Sequence, residues 1–223
     1  MSLKEQYNSF AKDYSRIIKE KSIYGRRIFY EHLNFPLAGK KILDAGCGDG
    51  TDLMYCIKHN AEAFGIDSSE AMIRQARQNA PLAKTIVGDF SQLPFQDKFF
   101  DAVISKHALQ SSADVEQILK EFYRVLKPEG LLLYLSVHPL RQFMEKKKKQ
   151  KNYFQKEIVE SVLFDGLLRV YEPTHTFNEY FNPWFLKNFD IHEFKEYFDP
   201  FSAEKVNKDS YPGFFVIKAQ KRR

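Results

Sequence analysis

KKILDAGCGDGTDL, residues 40–53, runs from a short apolar strand pattern at Ile42-Leu43, through Gly46, Gly48 and Gly50, into a helical pattern over Thr51–Asn60. Glycines between a strand and a helix let the backbone turn tightly and approach a ligand with no Cβ in the way. Such a turn is also compatible with a plain strand-to-helix connection, so its neighbours carry the reading. Asp67 follows a second short strand, Ala61–Ile66, and stands 21 residues after Gly46. An acid at about that distance is placed to accept hydrogen bonds from ribose hydroxyls. Asp44, Asp49 and Asp52 crowd the same turn. A helix N-terminus welcomes a diphosphate, but three carboxylates oppose an anion and favour a ligand carrying an ammonium or sulfonium. Thr51 stands where G-x-G-x-x-G requires its last glycine, which also disfavours a dinucleotide. Asp49 is in addition a candidate helix cap.

The alternation continues toward the C-terminus. Ser69–Asn79 reads as a helix capped by Ser68 or Ser69, and Lys84–Val87 and Phe100–Ser105 read as strands. Val115–Leu126 reads as a helix stopped by Pro128, and Gly130–Val137 as a nearly continuous apolar strand. Strands without a polar face, alternating with helices, predict a parallel sheet covered on both sides. Such a doubly wound open sheet binds ligands at the carboxyl ends of its strands. Toward the N-terminus, Tyr7, Phe10, Tyr14, Ile17 and Ile18 make one apolar helical face, with a break expected at Gly25 and a second helix around Arg26–Asn34. Beyond Val137 the pattern weakens. It predicts a lysine-ended helix over His138–Lys151, a strand over Leu167–Tyr171, a helix over Thr176–Asn188, a strand from Asn188 to Ile191 onward, and a last strand over Phe214–Ala219.

The chain has 223 residues, 43% hydrophobic and 28% charged, which argues against disorder and against a membrane protein. No segment is apolar for the roughly 18–20 residues that a bilayer crossing needs. MSLKEQYNSFAKDYSR carries charges where a secretory signal needs an apolar run. Two cysteines, Cys47 and Cys56, are too few for a disulfide scaffold or a four-ligand metal site, and a reducing cytoplasm is the expected setting. The net charge of +5 is concentrated in Lys146–Lys149 and Lys151, so nucleic acid is not the expected partner.

Five stretches then resemble, in order, the motifs of the class I S-adenosylmethionine-dependent methyltransferases: ILDAGCGDG, GIDSSEAMI, VGDFSQLPF, FDAVISKHALQS and LKPEGLLLYLS. Together they span Lys40 to Ser136, roughly two-fifths of the chain. YNSFAKDYSR resembles the lid helix of the small-molecule branch, which includes the ubiquinone and menaquinone biosynthesis enzymes. The resemblance implies an α/β fold: a doubly wound, mostly parallel seven-stranded Rossmann-like sheet, with an N-terminal helical lid and a cap inserted after the fifth strand. It implies one domain over residues 1–223, divided into a lid at 1–38, a cofactor-binding core at 39–137, an acceptor-side cap at 138–176, and a helix with the last two strands at 177–223.

The same resemblance implies S-adenosylmethionine as cofactor and a small-molecule methyl acceptor. The Gly46–Gly48 backbone would hold the methionine part with Asp44 near its ammonium. Asp67 would grip the ribose, Ser68 and Met72 would flank the adenine, and Asp89 with Phe90 would meet its edge and face. Ser105, Lys106 and His107 end the fourth strand, where methyl transfer takes place in this family, and Tyr14 would close over the site. Met72 and Phe90 are equally readable as core residues. An activated methyl needs a nucleophile held in line, and a general base only if that nucleophile must lose a proton. His107 is the candidate catalytic base, with a structural histidine as the alternative. His138, His175 and Tyr180 are expected to line the acceptor pocket. Tyr153, Phe154, Phe164, Tyr171, Phe177, Phe181 and Trp184 suit either an aromatic pocket wall or the core of a small cap. The Lys146–Lys151 run reads as a solvated helix end. The rival functions are an RNA or protein methyltransferase that docks through that run, and a non-catalytic relative that only binds the cofactor.

Overall fold

A computed structural model describes residues 3–21, 23–147, 152–163, 168–199 and 211–223. Two helices come first, α1 (Leu3–Lys21) and α2 (Ile23–His32), followed by β1 (Lys41–Ala45), α3 (Thr51–Lys58), β2 (Glu62–Asp67), α4 (Glu70–Asn79) and β3 (Lys84–Val87). β4 (Phe100–Lys106), α5 (Val115–Val125) and β5 (Leu126–Val137) complete the core. The rest comprises α6 (Pro139–Arg141), a π-type turn at Gln142–Lys146, β6 (Ile158–Leu163), β7 (Leu168–Pro173), α7 (Phe177–Tyr180), α8 (Pro183–Asn188), β8 (Phe189–Phe198) and β9 (Pro212–Lys221).

Seven strands form one sheet in the order β3-β2-β1-β4-β5-β9-β8, and β6 and β7 form a separate antiparallel hairpin. β1 to β5 run parallel, while β9 is antiparallel to both β5 and β8. This is the mostly parallel seven-stranded sheet expected. The strand order turns back at β1, which has β2 on one side and β4 on the other, so the crevice for a ligand opens at the carboxyl ends of these strands.

The continuous apolar character of β1 and β4 follows from burial on both faces. Leu43 and Val103 pack into one core cluster with Leu119 and Phe122 of α5, whereas Ile42 and Ile104 pack into the other with Phe29 of α2 and Ile73 of α4. Ser69 caps α4 by accepting from the Met72 N–H at 3.1 Å, and Asp114 caps α5 by accepting from the Gln117 N–H at 3.0 Å.

Three expectations for local structure are corrected. Gly25 lies inside α2 rather than breaking the helices apart. The helix expected over His138–Lys151 is only α6 and the following π-type turn, with residues 148–151 outside the described part. The helix expected over Thr176–Asn188 divides where Pro183, which has no N–H to continue a helix, starts α8 and Asn182 caps it, accepting from the Phe185 N–H at 2.8 Å. β6 was not expected at all: IVESVL carries Glu160 and Ser161 amid its apolar residues, and its partner β7 supplies the other half of the pattern.

α1 is docked on both sides. Asn8 Oδ1 accepts from Ser69 Oγ at 2.7 Å and from the Ala71 N–H at 3.1 Å, tying α1 to the start of α4. Gln6 Oε1 accepts from the Tyr171 N–H at 2.9 Å, tying α1 to β7.

Candidate active site

The turn after β1 is built from left-handed glycines. Gly46 has φ +80° and Gly48 φ +51°. A Cβ on Gly46 would lie 2.3 Å from the Ala108 Cβ, so the turn closes against the segment after β4 only with glycine there. A Cβ on Gly48 would instead point toward the Tyr14 ring at 3.9 Å, in the space beneath the lid. Asp67 closes the turn from β2: its Oδ2 accepts from the Gly48 N–H at 2.9 Å and its Oδ1 from the Ser69 N–H at 2.9 Å. Burial raises its pKa although those two bonds oppose the shift. Each oxygen keeps acceptor capacity for a further donor.

Above the turn lies a cavity of about 690 Å³, within the range of small-molecule sites. Tyr14, Gly46, Gly48, Asp67, Ser68, Met72, Asp89, Phe90, Lys106 and His107 all line it. Its walls also include residues that sequence reasoning missed: Lys4 and Tyr7 from α1, Val87 and Gly88 at the end of β3, and Ala108, Ser111 and Ser112 after β4. Tyr7 could have been found, because it stands seven residues before Tyr14, about two helical turns, on the same helix face. Their rings meet edge to face at 6.0 Å.

Acid chemistry dominates beneath the turn. Asp44 and Asp49 are each 2% exposed, and on each Oδ2 has no hydrogen-bond partner. Burial, and then the neighbouring Asp52, push the Asp44 carboxyl well above the usual carboxylate range, against the pull of Lys106. Asp49 Oδ1 accepts from the Thr51 N–H at 3.2 Å and from Thr51 Oγ1 at 2.8 Å, so it also braces the start of α3. Two buried, incompletely partnered carboxylates beside a glycine cradle fit a cationic nucleoside and do not fit a diphosphate. Lys106 is matched by Asp52, with Nζ 2.5 Å from Oδ2 and 2.7 Å from Oδ1, and the Tyr30 hydroxyl donates to Oδ1 at 2.6 Å. Burial raises the Asp52 pKa, but Lys106 and these bonds outweigh it and hold the carboxyl low.

His107 sits just past β4 with φ +54°. Its Nε2 is 3.7 Å from where a Gly25 Cβ would stand, so the ring lies in van der Waals reach of α2. Its exposed surface belongs to the cavity wall. Enclosure, then Lys106 and Arg141, push its pKa down to about 3, with Asp52 opposing. The lowered pKa leaves the imidazole neutral at neutral pH.

Two expected cofactor residues lie away from the wall. Asp44 is buried under the turn, and Ser105 is wholly buried with Oγ donating to the Ala45 carbonyl at 2.6 Å, which ties β4 to β1. His138, His175 and Tyr180, expected to line the acceptor pocket, do not line this cavity. His138 is 2% exposed and bonds Glu196 through Nε2 at 2.7 Å. His175 bonds Glu179 and the Gln110 carbonyl, and Tyr180 is fully buried with its hydroxyl 3.0 Å from Ser136 Oγ. The cap aromatics likewise stay off the cavity wall. Phe177, Phe181 and Trp184 pack onto the main core cluster, Tyr153 packs on Phe143, and Phe154 and Tyr171 are exposed; Phe164 lies outside the described residues.

The start of the lysine run is not a solvated helix end. Lys146 Nζ is 2.8 Å from Glu172 Oε1 and 2.5 Å from Ser161 Oγ, while Lys147 is 2% exposed and donates to the Asn152 and Gln155 carbonyls. These two lysines staple the cap together, and Lys148, Lys149 and Lys151 lie outside the described residues.

Residues 43–134, the stretch holding every strand around this cavity, match the family model described as a methyltransferase domain. The chain carries a class I S-adenosylmethionine-dependent methyltransferase domain. The cofactor of this methyltransferase fold is S-adenosylmethionine, and the two orphaned carboxylate oxygens and the glycine cradle fit it. Among curated proteins, phthiotriol/phenolphthiotriol dimycocerosates methyltransferase 1 of Mycobacterium ulcerans is 35% identical over 113 residues, 49% of this chain and 42% of that protein. Malonyl-[acyl-carrier protein] O-methyltransferase 1 of Coxiella burnetii is 33% identical over 144 residues, 62% of this chain and 48% of its own. The chain thus aligns with about half the length, or less, of these curated relatives. A putative S-adenosylmethionine-dependent methyltransferase from Listeria monocytogenes has the same fold, with a TM-score of 0.70, 22% identity, and coverage of 86% of this chain and 96% of that one.

Proposed function

We propose that this chain transfers a methyl group from S-adenosylmethionine to a small-molecule acceptor held in the inner part of the same cavity. The observation that carries the reading is the continuity of one cavity from Gly46 and Asp67 to Lys106, His107 and Ser111. S-adenosylmethionine supplies a methyl already activated by its sulfonium, because a neutral thioether departs. The chain supplies position and the exclusion of water. Asp67 would accept from the ribose hydroxyls with the lone pairs its backbone bonds leave open. Met72 and Phe90 would pack the adenine, Asp89 would accept from its amino group, and the Gly46–Gly48 backbone would hold the methionine part over Asp44. Tyr7 and Tyr14 would cover the methyl and exclude water. His107, held neutral, would take the proton of an acceptor hydroxyl or thiol through a ring nitrogen.

The aromatic and small neutral walls, Tyr7, Tyr14, Ala108, Ser111 and Ser112, favour a flat, weakly polar acceptor such as the ubiquinone and menaquinone branch handles. The relatives named for their acceptors are a methyltransferase of phthiotriol/phenolphthiotriol dimycocerosates and an O-methyltransferase of malonyl-[acyl-carrier protein], which supports a non-nucleic acceptor. Docking of RNA through the lysine run has less support, since Lys146 and Lys147 are consumed inside the cap. Two buried free thiols fit a reducing cytoplasm. Among the described residues no helix is long and apolar enough to cross a membrane.

The test is calorimetry with S-adenosylmethionine, S-adenosylhomocysteine and NAD, followed by transfer of a labelled methyl to panels of phenols, quinols, carboxylic acids, bulk RNA and protein. Binding of the first two ligands but not NAD, with label on a small acceptor, supports the reading. Uptake of NAD alone, or label on RNA or protein only, overturns it.

A further inference from the structure

We propose that Gln110 is a positioning residue that fixes His107 at the cavity wall, and that His175 of the cap holds Gln110 in turn. The proposal rests on the reading of His107 as the proton-accepting group.

Four non-glycine residues among those described have positive φ, and His107 is the one that lines the cavity. A side-chain-bearing residue keeps that conformation only when its surroundings over-determine it. The His107 N–H donates to the Leu135 carbonyl at 2.8 Å, and its own carbonyl accepts from Gln110 Nε2 at 2.8 Å. Gln110 is 4% exposed, and its Oε1 accepts from Ser136 Oγ at 3.2 Å. The two bonds assign both ends of the amide, nitrogen toward His107 and oxygen toward Ser136. The Gln110 main-chain carbonyl accepts from His175 Nε2 at 3.0 Å, and His175 Nδ1 lies 2.9 Å from Glu179 Oε2. A buried chain therefore runs from Glu179 on α7 through His175 and Gln110 to the backbone of His107. None of the first three lines the cavity, and Gln110 reaches it through the backbone of His107 and through its chain neighbour Ser111.

The chain reaches a group whose surroundings are sensitive to its position. Lys106 on β4, Arg141 on α6, Asp52 on α3 and Lys146 on the π-type turn all act on the His107 ring. If the backbone of His107 relaxes out of its left-handed conformation, the ring swings relative to these charges and toward water. A glutamine that merely filled the core would leave the ring untouched.

The experiment follows the His107 imidazole by NMR across pH, with its signal assigned by loss in a His107→Gln sample. Gln110→Met keeps the volume and removes the amide. Gln110→Leu, also neutral and without a donor for His107, gives the same reading should the first variant not fold. The expected result is that His107 titration climbs by one pH unit or more toward 6.5, while affinity for S-adenosylhomocysteine stays within threefold of the unmodified protein. A folded variant whose His107 titration is unmoved overturns the proposal. The reading of His107 fails separately, if His107→Gln leaves methyl transfer intact while the Gln110 variants still move the titration.

Discussion

Replacing Asp67 by alanine removes the acceptor proposed for two ribose hydroxyls and also the brace under Gly48. Each hydrogen bond to a charged group is worth roughly 1.5–3 kcal/mol, so affinity for S-adenosylhomocysteine is expected to fall at least about tenfold by calorimetry. Unchanged affinity would remove Asp67 from the site. Gly46→Ala is expected to be more severe than Gly48→Ala, because only the first puts a methyl 2.3 Å from the Ala108 Cβ; paired thermal melts and binding curves decide it. His107 carries a pH prediction. Its pKa is lowered, so the imidazole is already free to accept a proton throughout the range from neutral down past 6.5. The methyl-transfer rate is expected to show no acid limb near pH 6–6.5, and a limb there would mean a solvated ring. Unfolding frees this histidine to bind a proton below its ordinary value, so the same group makes the fold less stable as pH drops under 6.5.

At the scale of elements, α7 is a single turn held by Glu179, whose Oε1 accepts from the Thr176 N–H at 3.1 Å and whose Oε2 lies near His175 and Lys156. Burial raises the Glu179 pKa, but His175, Lys156 and the backbone bond outweigh it and bring it down to about 2. A lowered carboxyl contributes stability above its ordinary value near 4.5, and that contribution is lost as pH falls toward 2. Glu179→Gln is therefore expected to lower the melting temperature at pH 7 and to narrow the gap to the unmodified protein at pH 3, as read by circular dichroism. The elements most legible in the sequence were those whose signal is local. β1, α3, β2, α4 and β4 were readable because two-sided burial leaves these strands apolar and because Ser69 and the glycine turn mark the junctions. The cap was not legible for a physical reason: β6 makes sense only against β7. For the same reason His138, His175 and Tyr180 looked like pocket residues, since their partners Glu196, Gln110 and Ser136 come from elsewhere in the chain or from another layer. The cavity wall was readable where motif position fixed it, from Gly46 to His107. It was missed at Val87 and Gly88 within that span, and at Lys4, Tyr7, Ala108, Ser111 and Ser112, which reach the cavity only through the docking of α1 and the turn after β4.

For the whole molecule, a ligand that binds only the folded state stabilises it by about 2.7 kcal/mol at a hundred times its dissociation constant. At roughly 2–4 °C per kcal/mol for a chain of this size, saturating S-adenosylhomocysteine is expected to raise the melting temperature by about 5–11 °C, with no rise for NAD. The topology has a consequence for how the chain comes off the ribosome. β9 fills the place between β5 and β8, yet about 75 residues separate Val137 from Pro212. At synthesis rates of about 5–20 residues per second, the growing polypeptide spends on the order of 4–15 s with the leucine-rich flank of β5 already made and its neighbour not yet translated. That interval is when a nascent chain of this design is most in need of a chaperone, and when slowing translation between those two positions should lower the soluble yield.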